Sequence, residues 1–212
     1  MSSNNQTNRR IVESLEDLIS VCKELNCQFR IFGSLIYAAM KEEFYREIGD
    51  VDCFIEIRLR KNIIEEFEKR GYARSTKKDE DIPAHLHLLG FNAENFIKEN
   101  AKISLLYADF KENFIDVPLK FGLSYRIPYS LINRNYELAG KEFKSLTPEA
   151  ALCALPFVRD EVKKRTDLNI LLPFCNQGIL REIKNTDTFF WFGKRIPFVS
   201  AILAAKIDKF LT

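Results

Sequence analysis

The sequence has no CxxC pair, only two histidines and no apolar run long enough for a membrane span, and each shortage removes a class of protein. Five cysteines (Cys22, Cys27, Cys53, Cys153 and Cys175) are odd in number, widely spaced and mostly set in apolar segments. That pattern speaks against a disulfide framework or a structural zinc site and fits a reducing compartment. A membrane span needs about 18 uninterrupted apolar residues, and none occurs. Met1 to Arg10 is polar and lacks the apolar core of a secretory signal. A soluble cytoplasmic protein that does not engage membrane is therefore expected. The formal charge of +2 is too small to indicate a nucleic-acid or membrane field from the total, although a local basic groove stays compatible with it. What the chain has in quantity is apolar residues, 46% of the total with 12% aromatic, which suffices for a packed core and argues against a disordered chain.

Periodicity divides the chain. The polar head SSNNQTN reads as unstructured, after which Ile11, Leu15, Leu18, Cys22 and Leu25 recur at helical spacing, with Ser14 and Asp17 placed like a capping box. The pattern then predicts a strand over 28–32 ending at Gly33, a helix over 34–44, a strand over 50–58 and a helix over 62–70 stopped by Gly71. Residues 85–89 look extended and 93–100 read as a short helix. Residues 102–110 and 113–119 alternate like a hairpin around Lys111-Glu112, and 141–146 reads as a last strand. Thr147-Pro148-Glu149 is a strong helix start: a hydroxyl cap, proline at the first helical position and an acid at the positive end of the dipole. From there the pattern is helical, interrupted by Pro156, Pro173 and Pro197. A boundary near Leu146 separates a mixed α/β part, 1–146, from a helical part, 147–212.

The stretch "IFGSLIYAAMKEEFYREIGDVDCFIEI" carries the chemistry. On a strand, alternate side chains share a face. Val51, Cys53, Ile55 and Ile57 make one apolar face, and Asp50, Asp52, Phe54 and Glu56 make the other. Two carboxylates aimed the same way repel unless a cation lies between them, and hard oxygen ligands suit Mg²⁺ or Mn²⁺. Gly33 ends a strand and Ser34 opens a helix, leaving backbone N–H groups at a positive helix terminus where phosphate oxygens can bind. A phosphate cradle followed by paired acids describes an enzyme that handles a nucleoside triphosphate with metal assistance.

These motifs, over about Cys27 to Leu119, resemble the signature of the DNA polymerase β-like nucleotidyltransferase superfamily. Thr147-Pro148-Glu149 and Arg165-Thr166-Asp167-Leu168 are similar to the helical segment that follows the palm in AbiEii-type toxin nucleotidyltransferases. The resemblance implies an α+β fold, a mixed palm sheet flanked by helices with a helical C-terminal extension. It implies that Gly33 and Ser34 hold the triphosphate and that Asp50 and Asp52 ligate Mg²⁺ or Mn²⁺. The third carboxylate of such enzymes lies on a later strand. Asp116, pointing away from Ile115, Val117 and Leu119, is preferred there over Asp109, which sits beside the expected hairpin turn. Two ions held in this way would stabilise the attacking and leaving oxygens. Gly49 stands where many relatives have Ser or Thr. The lysine often found after Thr-Pro is replaced by Cys153-Ala154-Leu155, so its contact with the triphosphate is either lost or supplied by Arg159, Lys163 or Lys164.

The activity implied is transfer of a nucleoside monophosphate from a triphosphate to a hydroxyl of RNA, protein or a small molecule. A toxin–antitoxin or defence role with an antitoxin-like protein partner is part of the same expectation. The alternative is a non-catalytic module that keeps the fold for nucleotide or partner binding. Other motifs read more plainly. Glu56 is expected to pair with a basic neighbour. His85 and His87 are expected to be half-exposed or to line the cleft. Lys163-Lys164-Arg165 reads as a solvated helix face, and Phe189 to Phe192 as core packing for a final helix carrying Phe198, Ile202, Ala205 and Phe210.

Overall fold

The computed structural model describes residues 3–75, 90, 92–158, 160–184, 188–196 and 205. In chain order its strands are β1 (Phe29–Phe32), β2 (Asp50–Glu56), β3 (Ala73–Ser75), β4 (Ala93–Lys98), β5 (Ala101–Phe110), β6 (Phe114–Pro118), β7 (Leu123–Pro128), β8 (Arg134–Leu138), β9 (Lys141–Ser145), β10 (Phe189–Trp191) and β11 (Lys194–Arg195). The helices are α1 (Ser3–Glu24), α2 (Ser34–Lys41), α3 (Arg60–Lys69), α4 (Tyr129–Ile132), α5 (Pro148–Ala154), α6 (Glu161–Leu171) and α7 (Gln177–Lys184). The described strands form one mixed sheet in the order β11-β10-β7-β6-β5-β2-β1-β9-β8, with the β3–β4 hairpin attached to β5. β2 lies between antiparallel β1 and parallel β5. This is the expected α+β architecture, a mixed sheet flanked by helices.

Packing divides the two faces of the sheet. Val51, Cys53 and Ile55 of β2 and Ile103, Leu105 and Tyr107 of β5 share the main core with Ile11, Leu15, Leu18 and Cys22 of α1 and Ile63 and Phe67 of α3. The helices after Thr147 join that core through Ala151, Leu152, Ile170, Leu171 and Leu180. On the opposite face Phe54, Ala108, Ile115, Val117, Ile127 and Ile132 form a smaller cluster. The Thr147 cap is as expected, its side-chain oxygen accepting from the Ala150 N–H at 3.3 Å.

Several expectations are corrected. The polar head is helical from Ser3, so Ser14 and Asp17 lie inside α1 instead of capping it. Asn8 is only 7% exposed. Its side chain accepts from the Ile48 N–H at 3.1 Å and donates to the Arg46 carbonyl at 3.3 Å, which ties the head to the segment before β2. Residues 93–98 are a strand, not a helix. Glu99 and Asn100 both have positive φ (49° and 70°) and close a two-residue hairpin, the conformation that suits the twist of paired strands. Phe96 is then fully buried against Phe67, whose ring it meets at 5.0 Å, while Tyr72 meets Phe67 edge-on at 5.3 Å. Tertiary pairing overrides a weak local propensity here.

Residues 141–145 are not the last strand, because Phe189 to Trp191 pair with β7. Trp191 is 55% exposed and Phe192 74%, so these two are not core residues, while Phe189 and Phe190 are half-buried. His85, His87, Arg159, Phe198, Ile202 and Phe210 lie outside the described residues. Among the described residues, no helix is long and apolar enough to cross a membrane.

The aromatic trio offers a direct check of this packing. Phe96→Ala should lower unfolding free energy by about 3–5 kcal/mol, the usual range for emptying a buried phenyl site. Ile97→Ala, at a position 39% exposed, should stay within about 1 kcal/mol. Urea denaturation of both variants checks the pair.

Candidate active site

Gly33 connects β1 to α2 with φ 76° and ψ −151°, a backbone conformation open essentially to glycine. No side chain caps α2; the Ile36 N–H donates to the Gly33 carbonyl at 3.3 Å, and the N–H groups of Ser34 and Leu35 face the positive end of the helix dipole, where an anion can bind. The backbone at Gly33 lies directly against the next strand: a Cβ built there would stand 2.6 Å from Oδ2 of Asp52. The cradle and the acid therefore adjoin.

The strand register fixes what surrounds the acids. Asp50 pairs with Lys102 and Asp52 with Ser104 across the parallel β2–β5 ladder. Paired residues share a sheet face, so the face bearing Asp52 continues through Ser104 to Asn95 and Ser75. The Lys102 ammonium lies 3.1 Å from Oδ2 of Asp50. Ser104 is 4% exposed, and its hydroxyl has no hydrogen-bond partner. Glu56, on the same face but deeper, forms an ion pair with Arg58.

Asp116 does not join this group. β5 and β6 pair Asp109 with Asp116 and Phe110 with Ile115. Ile115 packs in the cluster that holds Phe54, on the face shared with Asp50 and Asp52. Both Asp109 and Asp116 therefore project from the opposite face. Asp116 instead meets the Arg126 guanidinium at 3.3 Å, and Asp109 meets Lys111 at 3.5 Å. The period-two alternation that picked out Asp116 was correct within β6; what it lacked was the register joining β6 to β2.

A second group, with no role assigned from sequence, holds the cradle from the other side. An Arg46 terminal nitrogen donates to Oγ of Ser34 at 2.7 Å and lies 3.3 Å from Oδ2 of Asp167. The Tyr45 hydroxyl donates to Oδ1 of Asp167 at 2.5 Å and accepts from Nε of Arg46 at 3.1 Å. Burial, followed by the bond to Asp167, raises the Tyr45 phenol well above its ordinary value. Because Ser34 accepts from Arg46, its hydroxyl hydrogen stays available for a phosphate oxygen. Asp167 belongs to the Arg-Thr-Asp-Leu motif, and Arg46 stands four residues before Asp50; both were visible in the sequence without a partner to give them meaning. Lys163 is exposed in the first turn of α6, one turn before Asp167.

Asp167 is 3% exposed, so its removal leaves a guanidinium and a phenol without their acceptor. Asp167→Ala should cost about 3 kcal/mol, the low end for breaking a buried ion pair, since the Arg46 side chain keeps 19% exposure. Tyr45→Phe, which removes one hydrogen bond, should cost about 1 kcal/mol. Denaturant midpoints of the two variants test this order.

The residues suit one hard cation better than two. A magnesium-type ion is commonly held by one or two carboxylates together with substrate phosphates, and Asp50 and Asp52 supply that number from one face. Among the described residues, no cluster of three or more acidic, histidine or cysteine side chains could hold a metal ion.

No family model matches the chain, and no curated protein matches it. Solved structures do. The solution structure of the antibiotic-resistance factor ANT(2'')-Ia aligns over 97% of this chain and 100% of its own, with TM-score 0.62 and 12% identity. The lincomycin-bound lincosamide antibiotic adenylyltransferase LnuA aligns over 77% and 97%, with TM-score 0.60 and 11% identity. An antigenic nucleotidyltransferase-like protein from Paracoccidioides brasiliensis aligns over 95% and 88%, with TM-score 0.53 and 14% identity. The order of elements, the glycine turn laid against the second strand's acid and these likenesses agree that the chain has the fold of these nucleotidyltransferases.

Proposed function

We propose that the chain binds a nucleoside triphosphate with Mg²⁺ or Mn²⁺ and transfers its nucleoside monophosphate to a hydroxyl of a small molecule. The observation that carries this reading is the closeness of Gly33 to Asp52, such that a Cβ on the glycine would stand 2.6 Å from Oδ2; it would put anion-binding amides beside cation-binding oxygens. Gly33, the hydroxyl of Ser34 and the Arg46 charge beside it would hold the β- and γ-phosphates, with Lys163 a further candidate from α6. Asp50 and Asp52 would hold the cation, whose charge offsets that building on the phosphate oxygens. The acceptor oxygen bonds to the α-phosphorus, the bond to the bridging oxygen breaks, pyrophosphate leaves, and the acceptor's proton passes to solvent. The chain's contribution is orientation and charge.

A small-molecule acceptor is favoured over RNA or protein because two proteins of this fold that span most of the chain handle antibiotics. One is lincomycin-bound, and the other was solved in complex with adenylyl-2''-tobramycin. A toxin role with an antitoxin-like partner lacks comparable support. The test supplies Mg²⁺ or Mn²⁺, each labelled triphosphate in turn, and panels of hydroxyl-bearing small molecules, RNA and protein. Pyrophosphate release with label on a small molecule is expected, and label on RNA or protein alone would overturn the acceptor class. A second reading, a module that holds nucleotide without transferring it, is favoured by one observation, the lack of a third carboxylate beside Asp52 among the described residues. Nucleotide binding without pyrophosphate release under every condition would establish it.

A further inference from the structure

We propose that this is a one-cation site, set by Ser104 and Lys102 on β5, in which Ser104 occupies the position that a third carboxylate would need. The inference rests on the nucleotide-binding reading above and specifies its metal requirement. Within the sheet, a carboxylate that shares an ion with Asp52 projects from the same face and from a strand beside β2. Among the described strands, β1 and β5 flank β2. On β1 the same-face residues are Phe32, paired with Asp52, and Arg30, paired with Phe54. On β5 they are Lys102, Ser104 and Leu106, paired with Asp50, Asp52 and Phe54. None is acidic.

Two details show that the position is built for polarity but not for a second divalent ion. The Ser104 hydroxyl is buried with no hydrogen-bond partner, an arrangement that natural cores rarely keep without a reason. A neutral hydroxyl so placed can bond a water or a phosphate oxygen, but it lacks the charge with which a carboxylate draws a divalent ion out of water. Lys102, 3.1 Å from Asp50, already places one positive charge beside the acids and repels another ion on that side. One cation can enter with the triphosphate, whose oxygens complete its shell. A second would find an ammonium and a hydroxyl where it needs carboxylates. The acceptor hydroxyl is then left without an ion to lower its pKa, and turnover of the natural chain is slow.

The experiment counts cations. Mn²⁺ is titrated into the full chain with a triphosphate analogue that cannot be cleaved at the α-phosphate, and free Mn²⁺ is followed by its paramagnetic resonance signal. The natural chain is expected to take up one Mn²⁺ per bound nucleotide. Ser104→Asp is expected to take up two and to raise metal-dependent pyrophosphate release about a hundredfold, the lower range for gaining acid–base assistance. Ser104→Asn, similar in size but uncharged, should remain at one. Two Mn²⁺ in the natural chain overturns this proposal while leaving the nucleotide-binding reading intact. One Mn²⁺ in a folded Ser104→Asp overturns the assignment of Ser104. No nucleotide-linked Mn²⁺ in the natural chain overturns the functional reading, and this inference with it. If Ser104→Asp fails to fold by circular dichroism, the count in the natural chain decides.

Discussion

Replacing Asp50 and Asp52 together by asparagine is expected to abolish cation-linked nucleotide binding and to lower pyrophosphate release by at least about a hundredfold, the scale of losing a main electrostatic contribution in a site of this kind. Asparagine keeps the size of each side chain and removes only the charge. The fold should survive, because Asp50 is partly exposed with its side chain at 28%, and Lys102, its partner, also reaches solvent at 22%. Partly exposed pairs contribute about 0–1 kcal/mol, and neutralising both carboxylates removes their mutual repulsion. The melting temperature is therefore expected to change little while binding collapses. The control is equally specific. Asp109→Asn and Asp116→Asn project from the other sheet face, so both should leave nucleotide binding and pyrophosphate release at the natural level. If Asp116→Asn alone abolished release, the strand register used to exclude it would be the wrong guide to the site.

The contrast between Asp52 and Asp116 shows what the sequence could and could not reveal. Alternation along a strand says which side chains share a face of that strand, and it sorted Asp50 with Asp52 and Asp116 away from Ile115 and Val117. It does not connect strands separated by sixty residues, because a face is common to two strands only through their register. That register depends on a chain of partners: Asp52 with Ser104 on β5, then Asp109 with Asp116 between β5 and β6. Shifting any link by one residue would reverse the answer. The β1–α2–β2 segment was legible because its signals are local: the glycine, the helix opening at Ser34 and the two acids lie within twenty residues. Residues 93–98 were misread because nothing local distinguishes six residues with one buried phenylalanine as helix or strand, and only β5 beside them decides. Arg46 and Asp167 escaped for the same reason as Ser104. Each acquires its role from a residue distant in the chain, and a serine or an arginine alone carries no such message.

Gly33→Ala is expected to damage both stability and nucleotide binding, and a second glycine separates the two effects. At Gly33 the positive φ strains any L side chain by about 1–3 kcal/mol. In addition, the new methyl would stand 2.6 Å from Oδ2 of Asp52, far inside ordinary contact. Asp52 is a short side chain rooted on a paired strand, so the clash can be relieved only by turning its carboxylate away or by shifting β1 from β2. Either movement separates the acid from the amides that open α2. Gly140, in the turn between β8 and β9, has a nearly identical φ of 75° and nothing within 4 Å of the position its Cβ would take. Gly140→Ala therefore carries the backbone strain without the collision. Both variants should lose stability in urea, Gly33→Ala the more because of its collision, whereas only Gly33→Ala should weaken triphosphate binding, by about tenfold or more, as 1.4 kcal/mol of lost interaction implies. Equal binding by the two alanine variants would mean that the proximity of Gly33 to Asp52 is a feature of packing alone and that the phosphates are held elsewhere.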